Sequence, residues 1–253
     1  MLTIDIGNSR IKWGVWENDQ IMHTDACAHG SVFDSQLFER CLPEMAAIEK
    51  IYVANVAGKN AEIALTQWLS EKGDARPVFL RTEKNCCGVT NAYSDPSQYG
   101  VDRWAALIAA KSLCDAGVCV IDIGTAVTID FMNESGVHEG GMIMPGLNMM
   151  QKALLDNTAD IAFDGSGFES IDLDRASDGL ATSTEEAVKH GALRLLRAGL
   201  DDVCLQAVSR YGNDIKIILT GGLAEKILPL LSVANMMHEP HLVLKGLHIA
   251  AEY

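Results

Sequence analysis

At 253 residues, 48% of them hydrophobic, the chain can bury either one large core or two cores in domains of about 120 residues. Lys and Arg number 20 against 34 Asp and Glu, and the formal charge of −14 excludes the positive surface that nucleic acid or an anionic membrane requires, leaving small molecules or proteins as partners. The seven cysteines form no C-x-x-C pair and suit reduced thiols; with no charged leader before Leu2 and no apolar run of membrane-spanning length, a soluble cytoplasmic protein is expected.

Hydrophobic periodicity predicts strands over residues 2–6, 11–16 and 20–26, a helix over 35–41 and a strand over 50–56. A helix over 60–71 follows, with Ile63, Ala64 and Trp68 at helical spacing, then a strand over 78–81. Residues 82–100 are rich in Asn, Gly, Ser, Asp and Pro and deliver Gly100-Val101-Asp102-Arg103 to a helix running from Asp102 to about Ala116. The second half restarts with strands over 118–123, 127–133 and 137–143 and a helix over 147–156. A long helix over 183–209 opens on Ser183 with Glu186 three residues on, a capping box, and is followed by a strand over 215–220 and a short helix from Leu223.

Two segments begin alike. Ile4-Asp5-Ile6-Gly7-Asn8-Ser9 opens the chain, and Ile121-Asp122-Ile123-Gly124-Thr125-Ala126 recurs near its middle, each leading through a Gly turn into a second apolar strand. Gly lets the backbone approach an anionic ligand, and Asn or Thr adds polar groups at the same depth. A carboxylate beside such a turn repels bare phosphate, so a cation has to intervene. The duplication predicts two similar domains, 1–115 and 116–253, with their turns facing a shared cleft.

Four motifs, D-I-G-N-S-R-I-K at 5–12, G-V-D-R at 100–103, D-I-G-T-A-V-T at 122–128 and G-G-M-I-M-P-G at 140–146, stand in the order found in type III pantothenate kinases. The chain resembles that family from its first strand to its last helix. The resemblance implies an α/β fold of two ribonuclease-H-like domains of duplicated topology with a nucleotide cleft between them. It also implies ATP-dependent phosphorylation of pantothenate, the entry step to coenzyme A. Ser9 stands where the family more often has threonine and keeps the hydroxyl.

On this reading the segment Asp5, Ile6, Gly7, Asn8, Ser9, Arg10, Ile11 and Lys12 binds ATP, with Asp5 holding Mg²⁺ directly or through water. Asp102 is the expected catalytic base: a primary hydroxyl is a poor nucleophile, and a carboxylate can orient it and take its proton late in transfer. Gly100, Val101, Asp102 and Arg103 together form a substrate-binding segment, Arg103 offering a planar fork to the substrate's carboxylate or to the transferring group. By resemblance, Asp122 belongs to a monovalent-cation site for K⁺ or ammonium, Thr125 contacts ATP, and Tyr93, with Tyr99 close by, and Thr184 lie near pantothenate. A homodimer is implied as well. In the long helix Leu193, Leu196, Leu200, Val203 and Ala207 recur on one face, which suits either a subunit boundary or the helix's own core.

Overall fold

The computed structural model describes residues 1–45, 48–73, 75–158, 179–233 and 236–253. The chain forms two compact units, Met1–Asp115 with Gly136–Glu139 and His241–Tyr253, and Ala116–Ser135 with Gly140–Pro240. A single cut between residues 115 and 116 therefore does not describe the grouping, because the final helix belongs with the first strands.

The first unit is built on a sheet of order β3-β2-β1-β4-β5, made of Leu2–Ile6 (β1), Arg10–Glu17 (β2), Gln20–Ala28 (β3), Ile51–Asn55 (β4) and Pro77–Phe79 (β5). β1 is buried along its whole length, as a central strand covered on both faces must be. β2 pairs antiparallel with β1 and β3 antiparallel with β2, a meander, whereas β4 pairs with β1 in parallel. Helices Ser35–Cys41 (α1) and Lys59–Lys72 (α2) pack their apolar residues into a core with Leu2, Ile4, Ile6, Ile51 and Val53. The buried face of α2 is Ala61, Leu65, Trp68 and Leu69, while Ile63 is exposed, so the expected stripe is turned by part of a turn.

The small hairpin Asn85–Cys86 (β6) and Val89–Thr90 (β7) sits inside the polar stretch that the sequence reading left as loop. Helix Val101–Leu113 (α3) buries eight consecutive residues from Arg103 to Ala110, because Leu242–Glu252, the final helix, covers another of its sides. The periodicity reading, which ends on the short helix from Leu223, gives this final helix no bounds.

The second unit repeats the plan with order β10-β9-β8-β11-β12, from Val118–Ile123 (β8), Ala126–Met132 (β9), His138–Pro145 (β10), Lys216–Thr220 (β11) and Met236–His238 (β12). Its helices include Leu147–Asn157 (α4) and Thr184–Tyr211 (α5), the latter opened as expected by Ser183, whose hydroxyl accepts the Glu186 N–H at 3.3 Å. The stripe Leu193, Leu196, Leu200, Val203 and Ala207 lies in this unit's own core with Ile121, Ile217 and Leu219. It therefore lends no support to a subunit boundary. Cys119 and Cys204 sit in the same core, where burial pushes the Cys119 thiol well up and Cys204 to about 11, keeping both protonated and unreactive.

One cysteine expectation is corrected. Cys27 at the end of β3 is disulfide-bonded to Cys41 at the end of α1, while Cys86, Cys87, Cys114, Cys119 and Cys204 remain thiols. Adjacent strand and helix ends bring the two sulfurs together, which residue spacing alone does not reveal. No described helix is long and apolar enough to cross a membrane.

Candidate active site

The two aspartates of the repeated turns hold equivalent places in their sheets. Asp5 lies opposite Lys12 on the antiparallel neighbour and beside Ala54 on the parallel one; Asp122 lies opposite Thr128 and beside Thr220. In both cases the carboxylate is on the next-to-last residue of the central strand, one step before the turn. Asp5 is buried, and Lys12 stands directly across from it on the returning strand.

The first turn is closed by the Gly7 N–H, which donates to the Arg10 carbonyl at 3.0 Å, leaving Asn8 exposed at the tip. The second is closed by the Gly124 N–H on the Ala126 carbonyl at 3.1 Å, with Thr125 exposed at its tip. Here a further strand-end turn presses on the hairpin: the Gly146 N–H donates to the Thr125 carbonyl at 3.2 Å. A Cβ on Gly146 would collide with that carbonyl and stand 2.7 Å from the Gly124 carbonyl, which explains why Pro145 is followed by glycine.

Around Asp122 the oxygens crowd one small space. Gly221, at φ +94°, carries no side chain there; a Cβ would collide with Asp122 Oδ1 and stand 2.6 Å from the Ile123 carbonyl. A carboxylate and a carbonyl beside a cradle that only glycine leaves open form a hard oxygen donor set, which fits K⁺ or another hard cation. Among the described residues no group of three or more His, Cys, Asp or Glu forms a metal cage. A cation at Asp5 or Asp122 would thus share one carboxylate with backbone and phosphate oxygens, which is how Mg²⁺ is commonly held beside nucleotides.

In the first unit the Gly100–Arg103 segment starts α3. Gly100 is the N-cap and Asp102 lies inside the first turn, where its Oδ1 accepts the Arg103 N–H at 2.8 Å and its charge is favoured by the helix dipole. A Cβ on Gly100 would stand 2.7 Å from that Oδ1, so the glycine keeps space for the carboxylate. Arg103 is buried with its guanidinium over the Tyr99 ring, 4.6 Å from its centroid.

This stacking separates the two tyrosines that the sequence left confusable. Tyr99 is 2% exposed, enclosed by Arg103 and Trp104, whereas Tyr93, its ring 5.0 Å away, is half-buried and presents the accessible surface. His138 completes the cluster from β10, its ring near-parallel to Tyr93 at 6.2 Å and 4.8 Å from Tyr99, with Nδ1 accepting the Ala92 N–H at 3.4 Å. Asn91 is buried beside it and its Oδ1 accepts the Tyr93 N–H at 2.9 Å. The sequence reading missed both residues, and nothing in the linear pattern joins position 138 to positions 91–93. Thr184 is exposed on the first turn of α5, in the second unit.

The fold is similar to that of the activator of 2-hydroxyisocaproyl-CoA dehydratase from Clostridium difficile with bound ADPNP, at TM-score 0.54 and 12% identity over 99% of this chain and 94% of that one. It is also similar to a Campylobacter jejuni protein named as a candidate Baf family transcriptional activator, at TM-score 0.59 and 19% identity over 100% and 98% of the two chains. The molecule is therefore an α/β protein that shares its fold, two units built on sheets of like strand order, with these structures. Within that class the chain belongs to the type III pantothenate kinase family, whose profile matches residues 1–206. A type III pantothenate kinase of Nitrosococcus oceani is 36% identical over 252 residues, 98% of this chain and 92% of that protein. One from Dechloromonas aromatica is 35% identical, with 99% and 98% covered.

Proposed function

We propose that the protein transfers the γ-phosphoryl group of ATP to the primary hydroxyl of pantothenate, forming 4'-phosphopantothenate at the start of coenzyme A biosynthesis. The observation that carries this reading is family membership over nearly the whole chain, with relatives at up to 36% identity named for that activity. Asp102 accepts the hydroxyl's hydrogen bond, orients it and takes its proton late in transfer, for which its place in a first helical turn next to Arg103 is suited. Arg103 meets the pantothenate carboxylate or the transferring oxygens, Gly100 and Val101 line the approach, and Tyr93 and Thr184 contact the substrate. Residues 5–12 and Thr125 hold the triphosphate. When bound, Mg²⁺ at Asp5 and K⁺ or ammonium at Asp122 supply positive charge against it.

Release of ADP with and without pantothenate tests the reading directly. Strict dependence on pantothenate supports it. ADP release driven equally by a sugar or acetate would assign another kinase activity, and nucleotide binding without turnover would assign a regulatory protein of the same fold.

The monovalent cation has its own expected outcome. Asp122→Ala should flatten the response of activity to KCl, titrated against NaCl at constant ionic strength, because the one carboxylate of the cradle is gone. An unchanged activation curve would remove the cation from Asp122.

The protein is further proposed to act in the cytoplasm as a homodimer, with the pantothenate pocket near or across the subunit boundary. Support comes from the side of α5 away from the core, where Leu195 and Leu205 are 69% and 62% exposed. Leu195→Glu with Leu205→Glu should shift sedimentation from dimer to monomer, and a native chain that sediments as an active monomer at all concentrations would refute the dimer.

A further inference from the structure

His29 stands directly after β3 and reaches the first phosphate turn from the neighbouring strand. Its backbone N–H donates to the Ser9 carbonyl at 3.1 Å, and its Nε2 lies 2.9 Å from the Gly7 carbonyl. Its Nδ1 lies 2.6 Å from the Gly30 carbonyl. A carbonyl oxygen only accepts, so in the Gly7 contact Nε2 is the donor.

The ring is fixed from behind. It packs against Phe33 at 4.8 Å, Phe33 stacks on the buried Phe38, and Cys27, two residues back, is tied to Cys41 on the same helix as Phe38. The residue is thus an anchored post, and what it holds is the peptide on each side of Asn8-Ser9.

The consequence follows from covalent geometry. In a planar trans peptide the C=O and the N–H point in opposite directions, and the chain has no cis peptides among its described residues. Holding the Gly7 carbonyl toward His29 turns the Asn8 N–H away from it, to the opposite side of the turn, where an N–H can meet an anion. If the Gly7 carbonyl were released, its peptide could rotate toward the ligand side and present oxygen where phosphate requires N–H.

We propose that His29 is the positioning residue of the phosphate turn, its ring holding the Gly7 carbonyl away from a bound triphosphate without touching the nucleotide. The inference rests on the reading that residues 5–12 bind ATP, and the experiment separates the two. Amide hydrogen exchange of the segment 5–12 is followed in the native protein with and without ATP, and ATP affinity is measured by calorimetry for the native chain and for His29→Ala, His29→Gln and His29→Phe. ATP is expected to slow exchange in the segment. His29→Ala and His29→Phe should each weaken ATP binding about tenfold and raise KM for ATP in step, with kcat and KM for pantothenate within about twofold. His29→Gln, which offers an amide donor near the position of Nε2, should recover most of the affinity, whereas His29→Phe keeps the contact with Phe33 and lacks the donor. A merely structural role would instead let Phe rescue, or would move all kinetic constants together, and either result overturns the proposal. Slowed exchange with unchanged affinity in His29→Ala overturns His29 and leaves the ATP site standing. No slowing in the segment overturns both.

Discussion

Asp102→Asn is expected to reduce turnover by about 100- to 10,000-fold, the range that a positioned general base supplies, while ATP affinity stays within about twofold. Asparagine suits the test because its amide oxygen can still accept the Arg103 N–H that Asp102 Oδ1 accepts at 2.8 Å, and so the start of α3 should be preserved. What is lost is the capacity to take a proton. Turnover by ADP release and nucleotide affinity by calorimetry are measured on one preparation, and near-normal turnover would remove Asp102 from the chemistry. A matching fall in affinity would place Asp102 in nucleotide binding instead.

Gly246→Ala should cost stability out of proportion to a single methyl group. In an ordinary helix interior the change is favourable by about 1 kcal/mol. Here Gly246 lies mid-helix against α3, and a Cβ would collide with the Ala105 carbonyl oxygen and stand 2.5 Å from its carbon and 2.9 Å from its Cα. Those are backbone atoms of a buried helix and cannot rotate aside, so the two helices have to separate. Overpacking of this kind costs about 1–3 kcal/mol, and with no flexible atom to yield the upper end should prevail over the gain in helix propensity. Thermal and urea unfolding of the variant beside the native protein decide it. A melting temperature equal to or above the native value would show that the close approach is dispensable.

The paired hairpins were legible because two local signals coincide: apolar strands and an Asp-x-Gly turn whose geometry depends on its own residues. The start of the long α5 helix was legible for the same reason, since Ser183 caps it locally. What escaped the sequence is contact between distant segments. His29 meets Gly7 across 22 residues, and Ala92 meets His138 across 46. β12 has three residues, too few for alternation to register, and its parallel pairing with β11 is what makes it a strand. The final helix carries Gly246 and His248 inside an apolar run, and its glycine reads as a breaker until Ala105 is seen beneath it. The stripe on α5 shows the converse limit, because a periodic apolar face says that something covers it and leaves open what does.

That the final helix completes the first unit also orders events during synthesis. β1 to α3 leave the ribosome well before the segment 242–252 that covers α3 and touches β1 and β4. Until the segment 242–252 has been made, the apolar side of α3 around Ala105 lacks the cover that this helix gives it. The nascent protein therefore carries its oldest part unfinished the longest, and that part is where a trigger-type chaperone or a protease would find it. Ribosome-stalled chains ending near residue 240 should be cleaved by limited proteolysis within the first unit, and chains extended past residue 253 by a linker long enough to clear the exit tunnel should resist.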